Sequence, residues 1–289
     1  MHENMLNKLK KSSISATDIA SQFWCEKQME LNYLYGKRVT LQMERGKKIH
    51  EDLQAEVYVP LAVEPVTYAD MLYKTAYENY MALKTLSEKR VCREVHIYGS
   101  LNGYKIVGQV DELRKEGDKV KIVELKTINE SNGSKLDAAK TKPHIVQIML
   151  YKKLIDDIRQ RKYELSNFAN SYGIRKLNLS EPFERGLRAI GIKEELINIE
   201  KMFELMFNAF YSMPETSDKL EIYYIDRFSG RQVSSIIINY NEEAINKDLA
   251  FALKYWKGER EALPVPSSET WKCNLCRFYG KECKVWWKG

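Results

Sequence analysis

The sequence has no run of about 18 uninterrupted apolar residues, so it offers no transmembrane helix. Its opening, MHENMLNKLKKSS, is basic but lacks the long apolar core of a secretory signal. Cysteine is sparse: there are five, Cys25, Cys92, Cys273, Cys276 and Cys283. An odd number with no secretory signal argues against a disulfide framework and for an intracellular protein. Internal repeats and low-complexity linkers are missing too, and the pieces that carry the chemistry are scattered along the chain. One compact unit over 1–289 is therefore expected. Neither sign of charge is in large excess. A net +6 spread over 289 residues is compatible with a polyanion partner but does not establish one. What the chain does have is 44% hydrophobic residues, enough for a core, and 30% charged residues, the surface of a soluble protein.

The most informative stretch is Gly108 to Lys126, GQVDELRKEGDKVKIVELK. Two alternating runs, Tyr104 to Leu113 and Lys119 to Leu125, flank a Gly117-Asp118 turn signal, so a β-hairpin is expected. Side chains alternate across a strand, which puts Glu124 and Lys126 on one face. If Asp111 is brought opposite them, two carboxylates and an ammonium converge. Buried together they are costly without compensation, and Mg²⁺ supplies it. Lys126 would then hold the attacking water. Alone, Asp with Glu-x-Lys also describes an ordinary solvated hairpin edge.

Around the hairpin, Ser15 to Asp18 reads as the cap of a helix, SQFWCEKQMELNYLYG, with Phe23, Trp24, Met29, Leu31 and Leu34 as core positions. A second helix lies within residues 40–57, with its start expected near Gly46. His50 is on it, and so is a basic cluster of Arg45, Lys47 and Lys48. A helix from Tyr68 to Lys84 precedes a strand, Val91 to Tyr98, on which Glu94 could border the same site. After Lys126 comes a polar loop with Lys135, Lys140 and Lys142, available to a phosphate backbone. Pro143 then opens a helix carrying Gln147 and Tyr151 one turn apart on one face. Residues 166–213 read as mostly helical. A second hairpin surrounds Phe228-Ser229-Gly230, and a last helix covers 242–260, with Tyr255 and Trp256 turned inward.

Cys273-x-x-Cys276 with Cys283 is the sharpest local signal, because that bite lets two thiolates share one metal centre. Three local cysteines need a fourth ligand, and Cys25 can provide it. Four thiolates suit structural Zn²⁺ or a [4Fe–4S] cluster, and spacing does not choose between them.

In this order, Trp24 to Glu26, the G-x-x-I-H of Gly46 to His50, the G-x-x-D of Gly108 to Asp111, Glu124 to Lys126, Gln147-x-x-x-Tyr151 and the terminal cysteines resemble the exonuclease V family. That family belongs to the RecB-type branch of the PD-(D/E)xK nucleases. The CRISPR adaptation nucleases are similar but usually shorter. Val110 stands where the motif is usually written with Pro. The resemblance implies an α/β, restriction-endonuclease-like core: a central mixed sheet flanked by helices, with the catalytic part near residues 90–155. It also implies a [4Fe–4S] cluster on Cys25, Cys273, Cys276 and Cys283 that joins residues 20–30 to 270–289. Mg²⁺ or Mn²⁺ would be held by His50, Asp111, Glu124 and the Leu125 carbonyl. Gln147 and Tyr151 would orient Lys126 or the strand, and Arg45, Lys48, Lys140 and Lys142 would touch phosphates. The expected activity is metal-dependent exonucleolytic hydrolysis of single-stranded DNA to short oligonucleotides, in DNA repair. The protein would be a monomer that can work with a single-strand-binding partner, nuclear or mitochondrial in a eukaryote and cytoplasmic otherwise. The alternatives are a CRISPR-type or recombination nuclease of the same fold, and a non-catalytic zinc module that binds nucleic acid.

Overall fold

The computed structural model describes residues 4–57, 59–128 and 138–286. Lys135, expected near a phosphate backbone, lies outside the described residues. A short helix α1 (Met5–Lys8) precedes β1 (Ile14–Ser15). Helix α2 (Ala16–Tyr35) follows at once, because Ser15 and Asp18 form a capping box: the Ser15 hydroxyl accepts the Asp18 N–H, and the Asp18 carboxylate accepts the Ser15 N–H. The backbone leaves helical geometry at Cys25 (φ −166°, ψ 107°), so α2 is two helical pieces meeting at that cysteine. Met29 and Leu31 are buried as expected, whereas Leu34 is exposed, beyond the reach of the core.

Helix α3 (Leu41–Ala55) starts at a Thr40 cap, earlier than the glycine suggests. Gly46 is interior to it, for a packing reason. A Cβ there would meet Thr127 Oγ1 at 3.0 Å, so glycine lets the helix lie close against the sheet. Helix α4 (Tyr68–Lys89) leads into β2 (Val91–Leu101), β3 (Tyr104–Glu116) and β4 (Lys119–Ile128). Helix α5 (Ala138–Arg159) begins ahead of Pro143, which sits inside its first turns. Helices α6 (Leu165–Tyr172), α7 (Glu181–Ala189) and α8 (Ile199–Ser212) precede β5 (Lys219–Asp226), β6 (Gln232–Asn239) and α9 (Glu242–Trp256).

The second hairpin is not a separate unit. β5 pairs in parallel with β4, from Val123 with Glu221 to Ile128 with Asp226, and β6 closes the edge antiparallel. The result is one mixed sheet flanked by helices, in the order β1-β3-β4-β5-β6, with β2 also on β3. One hydrophobic cluster runs from Met5 to Ala262 and includes the fully buried Tyr255 and Trp256. A smaller cluster of Val123, Leu125 and Ile225 packs against Ile49 and Leu53 of α3. Among the described residues no helix is long and apolar enough to cross a membrane.

Two buried polar groups tie α2 to residues 252–263. Gln22 accepts the Trp256 indole N–H at 2.9 Å and donates to the Ala252 carbonyl at 3.1 Å. Glu26 takes the Arg260 guanidinium and the Leu263 N–H. The Glu of the Trp-Cys-Glu motif is thus a bridge between distant segments.

Candidate active site

The site follows from how three strands share β3. β2 occupies one edge of β3 from Tyr104 to Arg114. The other edge is divided: β1 takes Ile106 and Val107, and β4 takes Glu112 to Glu116. Between them, from Gly108 to Asp111, that edge has no strand partner among the described residues, and the sheet opens there. Asp111 fills part of the break, its Oδ2 accepting the Leu125 N–H at 2.6 Å. In an extended strand a residue's N–H and C=O point to the same edge, so the Leu125 carbonyl faces this opening too.

Alternation along β4 delivers the remaining groups. Val123 and Leu125 face α3, while Lys126 reaches Gln147 of α5, so α3 and α5 lie on opposite faces of β4. The opening lets side chains from both faces meet in a cleft of about 910 Å³, lined by His50, Glu94, Asp111, Glu124, Leu125, Lys126, Gln147 and Tyr151 among others. Gly108 makes room for α5: a Cβ there would meet Tyr151 Cε1 at 2.9 Å.

Lys126 Nζ lies 2.6 Å from Glu124 Oε1 and donates to Gln147 Oε1 at 3.0 Å. Gln147 Nε2 in turn donates to the Tyr151 hydroxyl at 2.7 Å. Opposite, His50 Nδ1 is 3.0 Å from Glu94 Oε1 and 3.6 Å from Asp111 Oδ1. One ligand atom from each of His50, Glu94 and Asp111 falls within 4.8 Å of the others. Glu94 is the residue the sequence underweights. It adopts a left-handed backbone (φ 55°) inside β2, uncommon for a non-glycine residue, at the position where the β2–β3 ladder skips a pair.

The electrostatics favour a cation. Burial, then the neighbouring Glu124, pushes the Asp111 carboxyl well above its usual range, outweighing His50 and Lys126. Glu124 is 1% exposed, and its Oε2 has no hydrogen-bond partner among the described residues. A buried Asp111 carboxyl that resists ionisation, beside a buried Glu124 with an unused oxygen, forms a donor set that a hard divalent ion satisfies. Burial alone would lower Lys126, but Glu124 and Asp111 more than offset it and keep the ammonium charged. Burial also works against His50, yet the Glu94 hydrogen bond and the surrounding carboxylates raise it. His144, beside the Tyr224 hydroxyl at 3.2 Å, goes the other way: burial, then Lys126, lowers it to about 3.

The expected phosphate contacts are dispersed. Arg45 stacks on Phe228 at 5.1 Å, Lys48 pairs with Asp52 at 3.3 Å, Lys140 lies over Trp271 at 5.6 Å, and Lys142 is held by Asp248. Cys25, Cys273, Cys276 and Cys283 line one small void together with Trp24, Lys272 and Trp286. Their sulfurs do not form a set with all members within 4.8 Å of one another among the described residues. Burial raises the Cys25 thiol, with Cys276 and Cys283 adding to it. Cys92 is buried in the main core, away from this void.

Comparison with known proteins gives a class first. A family model described as "Exonuclease V - a 5' deoxyribonuclease" matches residues 4–118, 113–197 and 189–288, so the protein is an exodeoxyribonuclease, a phosphodiester hydrolase. The chain belongs to the exonuclease V family. Exonuclease V of Danio rerio is 26% identical over 290 residues, covering 96% of this chain and 72% of the zebrafish protein. A solved structure described as "Crystal structure of SSO0001" aligns over 94% of this chain and 90% of its own, at 15% identity and a TM-score of 0.38.

Proposed function

We propose that the protein is a metal-dependent exonuclease that hydrolyses single-stranded DNA from a 5′ end, with a PD-(D/E)xK-type site made of Asp111, Glu124 and Lys126. One observation carries this reading: a buried Glu124 oxygen with no hydrogen-bond partner among the described residues, beside the buried Asp111 carboxyl and a fixed ammonium, in an open cleft. Asp111, Glu124, His50 and the Leu125 carbonyl would hold Mg²⁺ or Mn²⁺, with Glu94 fixing the imidazole. When bound, such an ion neutralises phosphate charge and lowers the pKa of coordinated water. Lys126 stays protonated between Glu124 and Gln147, so its role is to donate: it orients the attacking water and stabilises charge building on the phosphate oxygens. Gln147 aims that ammonium, and Tyr151 holds Gln147. Arg45, Lys48 and Lys140 would guide the strand. Lys142 joins them only by giving up Asp248. A non-catalytic zinc module would leave the Glu124 oxygen and the Lys126 arrangement without a purpose.

A [4Fe–4S] cluster on Cys25, Cys273, Cys276 and Cys283 belongs to the same reading. Four thiols around one void supply the donor set. The Gln28 N–H, 3.4 Å from Cys25 Sγ, is placed to support a thiolate. A single Zn²⁺ at about 2.3 Å from each sulfur needs a tighter set than these four make. The cluster's work would be to clasp residues 20–30 to 270–289 within one nuclease domain over 1–289. A monomer acting in genome maintenance, with or without a single-strand-binding protein, fits this role.

The test is a time course on end-labelled linear and on circular single-stranded DNA, with and without Mg²⁺. Linear strands should shorten from the 5′ end only with metal, and circles should survive. Asp111→Ala, Glu124→Ala and Lys126→Ala should each lose cleavage by about 10²- to 10³-fold or more while still binding DNA. Cut circles, or full activity in any of the three, would overturn the proposal.

A further inference from the structure

The turn between β5 and β6 lies beside the cleft without belonging to its acid, base or metal machinery. Arg227 lines the cleft alongside Thr127, Lys37 and Gln42. Its backbone is fixed by a 2.9 Å hydrogen bond from its N–H to the Ile128 carbonyl. Its guanidinium Nε is buried, yet has no hydrogen-bond partner among the described residues. A buried guanidinium N–H left unmatched costs free energy, so the side chain gains by shifting into the cleft to meet an anion there. The next residue, Phe228, is the opposite case: a large apolar ring that is 65% exposed.

Exposure here does not mean looseness. Asp226, 6% exposed, accepts the N–H groups of Phe228 at 3.1 Å and Ser229 at 2.8 Å, and the Ser229 hydroxyl at 2.9 Å. The buried carboxylate therefore locks the turn that presents the ring. Arg45 of α3 stacks its guanidinium on Phe228, 5.1 Å from the ring centre, and joins the turn to the helix that carries His50. A solvent-facing aromatic on a hydrogen-bonded turn, with Arg45 against the ring and Arg227 beside it in sequence, at the rim of a cleft for a polyanion, has the makeup of a stacking platform for an unpaired strand.

We infer that Arg227 and Phe228 form a DNA subsite: Arg227 binds a backbone phosphate next to the scissile one, and Phe228 stacks on a base of the same strand. The inference rests on the nuclease reading and gives its single-stranded substrate a residue-level basis. A base inside a duplex has no free face for the ring.

The experiment measures affinity for a fluorescent oligodeoxythymidylate in the full chain carrying Asp111→Ala, with Phe228→Ala or Arg227→Ala added. Phe228→Ala should weaken binding about 5- to 100-fold. Arg227→Ala should weaken it and flatten the slope of log affinity against log salt by about 0.7, the share of one single-strand phosphate. In chains with Asp111 intact, both substitutions should raise KM far more than they lower kcat. Light-induced crosslinking of a strand containing 5-iododeoxyuridine should mark Phe228, a signature that a merely structural residue would not give. Unchanged affinity in either variant, or crosslinks that bypass Phe228, overturns the subsite. Because Phe228 is exposed, its removal does not threaten folding. If the chain with Asp111 intact cuts DNA and Asp111→Ala does not, such a result sinks this inference alone. If the intact chain does not cut, the nuclease reading itself has failed.

Discussion

His50 Nδ1 lies 3.0 Å from Glu94 Oε1, which ties a helix on one side of the sheet to a strand residue held in a left-handed conformation. Removing the carboxylate should free the imidazole to rotate. Glu94→Ala is expected to weaken the apparent affinity for Mg²⁺ or Mn²⁺ about 10- to 100-fold, read from the metal dependence of the cleavage rate. Glu94→Gly should lose the same affinity but unfold at a higher temperature than Glu94→Ala, because glycine tolerates the positive φ. Equal metal dependence in wild type and variants would remove Glu94 from the site.

Gln147 is bonded to both Lys126 and Tyr151. Gln147→Ala leaves the ammonium with Glu124 alone and should cut kcat about 10- to 100-fold with little change in DNA affinity. Tyr151→Phe keeps the Lys126 contact and should cost less. The reverse order would point to the phenol as the reacting group.

Asp70 gives a pH signature of stability far from the cleft. Its carboxylate accepts the N–H groups of Val66, Thr67 and Ser180 and the Ser180 hydroxyl, joining the start of α4 to the start of α7. Burial would raise its pKa, but the bonds from Ser180, Thr67 and Val66 outweigh burial and lower it. A folded pKa below the unfolded value means stability that is full above about pH 4 and lost as pH falls through the folded pKa. Asp70→Ala should therefore be about 1.5–3 kcal/mol less stable at neutral pH, a gap that narrows in acid. Urea titrations at several pH values check this, and a gap that widens in acid would refute it.

Cys25→Ser should strip iron and the broad absorption near roughly 400 nm from the purified protein and lower its unfolding temperature. Cys92→Ala should keep both iron and colour, since that thiol is buried elsewhere. Zinc with no colour in the wild-type protein would dismiss the cluster.

Local chemistry made much of this legible. The hairpin announces itself through Gly117-Asp118 and two alternating runs, and Glu124 and Lys126 share a face because strands alternate. The Gln147 and Tyr151 pairing follows from helical spacing. What stayed hidden depends on contacts between distant segments. Nothing within residues 219–239 says that β5 lies beside β4. Gly46 looks like a helix start because glycine is a poor helix former, while its purpose is the approach to Thr127. The sequence puts Glu94 on a strand that could border the site, but only its backbone conformation shows the carboxylate turned to His50. Arg227 carries no motif at all, and its signal is an unmatched N–H visible only in three dimensions.

Glu26 meets Arg260 across 234 positions of sequence, so the ribosome delivers the two partners far apart in time. At about 5–20 residues per second the interval is roughly 10–50 s, and for part of it β4 waits for β5, the neighbour that will cover it. A nascent chain stalled before Trp256 should be unable to digest DNA and should depend on chaperones. The enzyme would gain its cutting power only after the segment from Trp256 to Leu263 has been made.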